Sequence, residues 1–193
     1  MSQTTKRALE TSLKKLLLKK PINKITISDI TDDCGVNRMT FYYHFTDIYD
    51  LARWACMEDA EQAIANNKTY DTWQQGFLNI FNAVLENKPF IVNVYRALDR
   101  VQVENYLNTQ TQKLLMGVIE EKAQGMVIAE KDMLFIADFF KYAFNGIMLN
   151  WIADDMKEDP KYTVDRVSVL ISGDITRALN SFRRDKHSAD SSS

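Results

Sequence analysis

Apolar residues recur every three or four positions along most of the chain, which is the period of an α-helix with one buried face. The first such segment covers residues 4–19, where leucines alternate with lysines, and it ends at Pro21. Strict alternation of apolar and polar residues, which is typical of half-buried strands, is scarce. The pattern therefore predicts an all-α protein of about nine helices.

Two short helices joined at a glycine are predicted between Thr26 and Phe45. Thr26 is a good N-cap for the first helix, and Gly35 stands where a left-handed residue ends a helix at little steric cost. Asn37 can cap the second helix, residues 38–44. Two short helices with a turn of about three residues form a helix-turn-helix, whose second helix enters the DNA major groove.

The second of these helices has two different faces. Phe41 and Phe45 are apolar and four residues apart, so they predict an inward face. The outward positions carry side chains that can hydrogen-bond to phosphates or to base edges: Arg38, Thr40, Tyr42, Tyr43 and His44.

Longer and more apolar helices follow. The segment 129–153 is apolar over most of its circumference, so it requires burial on two sides. The bundle of its own chain covers one side, and we expect a second copy of the chain to cover the other. A last helix is predicted over residues 162–183.

These patterns predict three regions. Residues 1–46 are expected to form a helix-turn-helix DNA-binding domain, and residues 47–184 a helical dimerisation domain, to which the family resemblance given below adds a regulatory role. Residues 185–193 are expected to be a disordered tail, since the chain ends in charged and serine residues.

Charge is unevenly distributed along the 193 residues. The formal net charge is −2, which argues against a protein that is basic throughout. Residues 1–24, however, carry seven Lys or Arg against one Glu, a local balance of +6. A basic end on an acidic chain suits phosphate contact at that end, although a basic helix is also often just a solvated face.

No motif for catalysis is present. Histidine occurs only at His44 and His187, and Cys34 and Cys56 form no CxxC pair, so we predict no enzyme, no metal ion and no cofactor. Charge-free runs such as residues 142–153 are too short to cross a bilayer, so no membrane role is expected. Two cysteines without a signal peptide fit a cytoplasmic protein.

Residues 35–45, Gly-Val-Asn-Arg-Met-Thr-Phe-Tyr-Tyr-His-Phe, closely resemble the signature of TetR/AcrR-type transcriptional regulators. Ile25, Thr26, Ile27 and Ile30 are similar to the preceding helix of that family. The resemblance covers residues 5–55. It implies a three-helix helix-turn-helix DNA-binding domain followed by a helical-bundle domain for ligand binding and dimerisation. The later helices look like a subgroup that includes regulators of dihydroxyacetone kinase operons.

The resemblance also implies roles for single residues. Thr26, Thr40, Tyr42 and His44 look like DNA-backbone contacts, with Asn37 as the cap of the recognition helix. Arg38, Met39 and Tyr43 occupy positions that face base edges; Arg38 suits guanine O6 and N7, and Met39 suits a thymine methyl. Tyr42 could instead be a core aromatic, and His44 could instead interact with the helix C-terminus. The predicted DNA-binding set is Thr26, Asn37, Arg38, Met39, Thr40, Tyr42, Tyr43 and His44.

Two positions depart from the family pattern. Ile48 stands where many members carry a phosphate-binding lysine, so backbone affinity could shift to Lys24 or to the first helix. Thr31 stands where alanine is usual, which could alter the packing of the two short helices.

The resemblance implies a homodimeric bacterial regulator of a double-stranded, palindromic DNA operator. Helices 129–153 and 162–183 of each subunit would form the dimer interface. A repressor released by a small-molecule effector is expected; the alternative is an activator, or a regulator switched by a partner protein on the C-terminal domain. Aromatic and amphipathic residues are predicted to line the effector pocket, although such residues are also typical of plain core: Trp73, Phe77, Tyr95, Tyr106, Met116, Phe140, Phe144 and Trp151.

Overall fold

The computed structural model describes residues 2–65, 68–69, 71–98, 100–171 and 173–185. These residues form helices, one 3-10 turn (Ile22–Lys24) and no strand. The all-α prediction is therefore confirmed. The α-helices are α1 (Ser2–Leu17), α2 (Ile27–Cys34), α3 (Arg38–His44), α4 (Ile48–Ala63), α5 (Trp73–Glu86), α6 (Lys88–Ala97), α7 (Arg100–Lys122), α8 (Glu130–Ala153), α9 (Pro160–Ile171) and α10 (Asp174–Phe182).

The described residues contain one helix more than the predicted nine, because the predicted helix 162–183 is two helices. Gly173 separates α9 from α10 with a φ of +77°, a left-handed conformation that glycine adopts at little cost. Val164 and Val167 of α9 are buried as the pattern predicts, but Leu170 is 75% exposed.

Packing divides the chain into two compact units. The first comprises Met1–Ala63 with Ala83–Arg100, and the second comprises Ile64–Asn82 with Val101–Ser193. The first unit extends beyond residue 46 because α4 and α6 both pack against α1. The predicted functional division at residue 46 stays a prediction. Of the predicted tail, residues 186–193 lie outside the described residues.

The core of the first unit joins α1 to the two short helices. Leu9 and Leu13 of α1, Ile30 of α2, Phe41 of α3 and Leu51 of α4 are all 0% exposed. Burying an apolar side chain of this size contributes about 1.5–3 kcal/mol. This shared core fixes the orientation of α3 relative to α1 and α2.

The core of the second unit is formed mainly by α7, α8 and α10. Ile119 of α7, Ala137 of α8 and Leu179 of α10 are each 0% exposed, and Phe140 of α8 is 3% exposed. None of the described helices combines the length and the apolar character needed to span a bilayer.

Candidate nucleic-acid interface

A capping box begins α2. The amide nitrogen of Asp29 donates to Thr26 Oγ1 at 3.1 Å, and the amide nitrogen of Thr26 donates to Asp29 Oδ2 at 2.7 Å. Each side chain thus satisfies one backbone N–H group that has no partner within the helix. The predicted N-cap at Thr26 is confirmed.

The turn between α2 and α3 depends on Gly35 and Asn37. Gly35 has a φ of +71°, and the Val36 amide bonds to the Thr31 carbonyl at 3.0 Å, which closes the end of α2. Asn37 then begins α3 as its N-cap. The helix-turn-helix geometry predicted from the sequence is present.

Helix α3 has one buried face and one exposed face. Phe41 and Phe45 are buried in the core of the first unit, as predicted. On the opposite face Met39 is 77% exposed and Tyr43 is 82% exposed. Leaving two large apolar or aromatic side chains in water on so short a helix is typical of a binding surface.

The other predicted contact residues lie around this exposed face. Arg38 is exposed, Thr40 and His44 are partly buried, and Tyr42 is 49% exposed while it packs edge-on against Phe41 at 5.8 Å. Tyr42 is therefore at the rim of the core rather than within it. Thr26 is exposed at the start of α2. Their contacts with DNA stay a prediction.

Several basic side chains of α1 do not point freely into solvent, and the sequence pattern did not predict this. Lys14 Nζ lies 2.7 Å from both Glu10 Oε1 and Asp59 Oδ2, so it joins α1 to α4. Lys15 binds Asp33 of α2 at 2.5 Å, and Lys20, which follows α1, lies 2.8 Å from Asp29 of α2. The spacing of Lys14 and Glu10 could have suggested one pair, but the pairs between helices have no signal in the sequence.

The pKa values of the acidic groups in these ion pairs are shifted in different directions. The bond from Lys20, reinforced by two from Thr26, lowers the pKa of Asp29 to about 2. The bond from Lys15 likewise lowers the pKa of Asp33. Burial instead raises the pKa of Asp59 despite its bonds to Lys14.

Other cations of the first unit are available to a ligand. Lys19, Lys24 and Arg38 are exposed and make no ion pair or hydrogen bond with side chains in the described part of the chain. Arg38 therefore presents a free guanidinium at the start of α3, where a bidentate contact to a guanine is possible.

The second unit contains an aromatic cluster. Phe144 of α8 lies 5.6 Å from Trp73, 4.7 Å from Phe77 and 6.5 Å from Phe140, measured between ring centroids. Phe81 links this group to Trp151 at 4.8 Å. Such distances are those of rings in direct contact.

The structure thus brings together five of the eight residues predicted to line an effector pocket, namely Trp73, Phe77, Phe140, Phe144 and Trp151. Met116 packs against the same core. Tyr106 lies on α7, whereas Tyr95 lies on α6 in the first unit. Whether any of them contacts a ligand stays a prediction.

Trp151 also lines a cleft of about 500 Å³ beside the loop between α8 and α9. Its indole Nε1 donates to the Glu158 carbonyl at 2.8 Å. Ile147 forms an apolar wall, while Asp154 and Lys157 are polar side chains at the edge. The loop contains two left-handed residues, Asp155 and Met156, with φ of 60° and 53°.

A stripe of apolar side chains runs along the exposed face of α8. Phe135, Phe139 and Tyr142 are 64%, 63% and 60% exposed. Their spacing of four and three residues places them on one face. On α9, Val169 and Leu170 are 80% and 75% exposed. We call Phe135, Phe139 and Tyr142 the α8 stripe.

Within the described residues no three His, Cys, Asp or Glu side chains form a group that could hold a metal ion. The cysteines also lack the properties of reactive thiols, since burial raises the pKa of Cys34 and raises that of Cys56 to about 12.

Residues 12–53 match the family described as "Bacterial regulatory proteins, tetR family", and residues 71–173, more than half of the chain, match its "Transcriptional regulator C-terminal region". The chain belongs to the TetR family of bacterial transcriptional regulators. Family membership confirms the resemblance seen in residues 35–45. TetR-type regulators bind DNA operators and dimerise, and they are not enzymes.

Two comparisons point to the same TetR-type relative. The chain is 26% identical over 137 residues, 70% of its length and 72% of the relative, to the "HTH-type dhaKLM operon transcriptional activator DhaS" of Lactococcus lactis subsp. lactis (strain IL1403). The solved structure named "Dihydroxyacetone kinase operon activator DhaS" is similar with a TM-score of 0.69 at 20% identity, over 93% of this chain and 98% of that one.

More distant TetR-type structures share the fold. The TetR family repressor AlkX from Dietzia sp. strain DQ12-45-1b matches with a TM-score of 0.60 at 12% identity, over 90% of this chain and 96% of that one. The fold is therefore shared between proteins named as activators and proteins named as repressors.

Proposed function

We propose that the protein is a homodimeric regulator that reads a palindromic operator with helix α3 of each subunit. The observation that carries this proposal is the exposure of Met39 and Tyr43 on a helix whose opposite face, Phe41, is fully buried. Such a helix is held rigidly by its inward face while its outward face stays available for a DNA groove.

The DNA contacts divide into two kinds in this proposal. Arg38, Met39 and Tyr43 meet base edges, because all three are exposed on α3. Thr26, Thr40, Tyr42 and His44 meet the DNA backbone, and Asn37 holds the start of α3. Phosphate contacts set the position of the protein on the duplex, and base contacts set its sequence preference. DNA binding in turn implies that the protein works in the cytoplasm.

Dimerisation uses the α8 stripe together with the exposed residues of α9 in this proposal. Three aromatic side chains that are each more than half exposed form a large apolar patch, which favours burial against a second copy. Gly146, one turn beyond Tyr142, leaves open space beside its backbone, so a partner helix can approach closely. The pairing places two α3 helices on successive major-groove faces about 34–36 Å apart.

The effector is proposed to be an apolar or aromatic small molecule that inserts among the rings around Phe144. Ligand binding would favour a dimer whose α3 helices are wrongly spaced for the operator. Titration of candidate compounds against the tryptophan fluorescence of the protein, with Phe144→Leu as the comparison, tests this. A compound that binds both proteins equally does not use the cluster.

Activation is the second candidate, and the observation that favours it is the name of DhaS, an operon transcriptional activator, for the relative at 26% identity. A reporter gene placed downstream of the operator distinguishes repression from activation. Deleting the regulator raises expression for a repressor and lowers it for an activator. A change in either direction that needs a second protein, and no small molecule, would favour a partner-protein switch.

The experiment that tests the proposal is selection of bound duplexes from a random-sequence library. The wild-type protein is expected to enrich a sequence with two inverted half-sites. The variant Tyr43→Ala should enrich a different or weaker motif, because its α3 helix has lost an aromatic side chain that is 82% exposed. Enrichment of the same motif by both proteins would contradict the assignment of α3, and the absence of any motif would contradict sequence-specific binding.

A further inference from the structure

Two carboxylates on one face of α2 are bonded to lysines in the last turn of α1 and just after it. Asp33 Oδ1 lies 2.5 Å from Lys15 Nζ, and Asp29 Oδ2 lies 2.8 Å from Lys20 Nζ. Both pairs are accessible to water, since the side chain of Lys15 is 55% exposed and that of Lys20 is 34% exposed. A ligand can therefore reach both lysines.

One oxygen of Asp29 collects three donors. Oδ2 accepts hydrogen bonds from the amide nitrogen of Thr26 at 2.7 Å, from the hydroxyl of Thr26 at 2.8 Å and from the ammonium of Lys20. A backbone N–H at the start of a helix, a hydroxyl and a lysine are the groups that proteins use to bind a phosphate. The Asp29 carboxylate thus occupies a donor set suited to a phosphate.

We infer that Asp29 and Asp33 are internal counter-anions that compete with DNA phosphates for Lys20 and Lys15. When the protein is free, each carboxylate neutralises its lysine. When the protein docks on DNA, each lysine exchanges its carboxylate for a phosphate. This inference rests on the DNA binding proposed above. It gives Asp29 and Asp33 the role of lowering the affinity of the protein for DNA, whatever the DNA sequence.

The physical reason is that the electrostatic part of DNA affinity comes from lysines and arginines that release counterions condensed on the phosphates. A lysine that must first leave a carboxylate contributes less free energy, because the exposed carboxylate loses its partner. Because of the same exchange, the affinity for DNA falls less steeply as the salt concentration rises. Such competition limits the binding of the protein to non-operator DNA.

Asp32 offers a matched control. It lies on α2 between the two paired acids, it is exposed, and it makes no ion pair or hydrogen bond in the described part of the chain. Asp33→Asn and Asp32→Asn change the net charge equally. A difference between them therefore reports the Lys15 pair and not the overall charge of the helix.

The experiment measures binding of the full chain to a random-sequence duplex of about 30 base pairs at several salt concentrations. Asp33→Asn should raise the affinity about two- to fivefold, the range expected for releasing one exposed ion pair. It should also steepen the slope of log K against log salt by up to about 0.9. Asp32→Asn should give a smaller gain and leave the slope unchanged.

A second pair of variants assigns the effect to the lysine. In a Lys15→Met background the gain from Asp33→Asn should fall to that of Asp32→Asn. In a Lys20→Met background the gain from Asp29→Asn should fall in the same way. Equal gains from Asp33→Asn and Asp32→Asn, or a gain from Asp33→Asn that stays above that of Asp32→Asn in the Lys15→Met background, would overturn the inference while leaving DNA binding intact. A wild-type protein that binds no duplex at low salt would overturn the proposed function itself.

Discussion

Asn37 Oδ1 accepts two hydrogen bonds from Thr40, one from the amide nitrogen at 2.8 Å and one from the hydroxyl at 3.0 Å. The hydroxyl proton of Thr40 is therefore directed at Asn37. A phosphate near Thr40 would meet an oxygen lone pair unless this bond opens. The residue that begins the recognition helix thus also controls what Thr40 offers to DNA.

Substitution of Asn37 should separate helix capping from DNA binding. Asn37→Asp keeps a good N-cap, so the free energy of unfolding should change little, but its negative charge should repel phosphates and weaken DNA binding. Asn37→Ala should cost about 1 kcal/mol of stability because the cap is lost. Urea unfolding and duplex binding measure the two effects. Equal DNA affinity of Asn37→Asp and wild type would place Asn37 away from the DNA.

Arg38→Ala should weaken operator binding by about 1–3 kcal/mol and relax the sequence preference at one base position. The reason is that its exposed guanidinium makes no ion pair with the described residues and can bind a guanine bidentately. Affinities for a panel of single-base operator variants provide the measurement. An equal loss for every sequence would mean that Arg38 contacts only phosphate. Lys24→Ala, which removes an exposed lysine outside α3, is the comparison for such a uniform loss.

Asp29 should make stability depend on acid pH. Its pKa is lowered from 3.8 to about 2, so the ionised form stabilises the fold above the unfolded-state pKa, and this contribution is lost as pH falls from about 4 through 2. Asp29→Asn cannot ionise. The difference in unfolding free energy between wild type and Asp29→Asn should therefore be constant near neutral pH and shrink between about pH 4 and pH 2. A difference that does not vary with pH would show that the Lys20 pair adds no stability.

The α8 stripe should decide the oligomeric state. Phe139→Glu places a charge in the middle of the stripe, so it should convert the dimer into a monomer at micromolar concentration, as measured by light scattering. Val127→Glu is the control, because Val127 is similarly exposed at 60% but lies before α8 and outside the stripe. A wild-type monomer, or a Phe139→Glu dimer, would assign the stripe to another partner.

Local chemistry made the helix-turn-helix predictable. Thr26, Gly35 and Asn37 specify the caps and the turn through their own backbone preferences, and the spacing of Phe41 and Phe45 specifies the inward face. The structure has the same arrangement. These features depend on neighbours within a few residues, so a single sequence contains them.

Contacts between distant segments were not predictable in this way. Lys15 and Lys20 each bind a carboxylate of α2 that is distant in sequence, and the helical periodicity contains no signal of these contacts. The sequence pattern did not predict the helix break at Gly173, because the helical spacing of apolar residues continues on both sides of it. The predicted pocket residues on α5 and α8 meet in one aromatic cluster, whereas Tyr95, Tyr106 and Met116 lie on α6 and α7. The periodicity of a helix indicates which of its faces is buried, but not which helix covers that face.

In the proposed dimer, contact through the α8 stripe brings two α3 helices onto one operator. Affinity measured for a full palindrome and for a single half-site, each with wild type and with Phe139→Glu, tests it most directly. We predict that wild type binds the palindrome at least about 100-fold more tightly than the half-site, because the second contact becomes intramolecular. Phe139→Glu should bind both duplexes equally weakly. Equal affinity of the wild-type protein for the two duplexes would show that the α8 stripe does not pair two α3 helices on the operator.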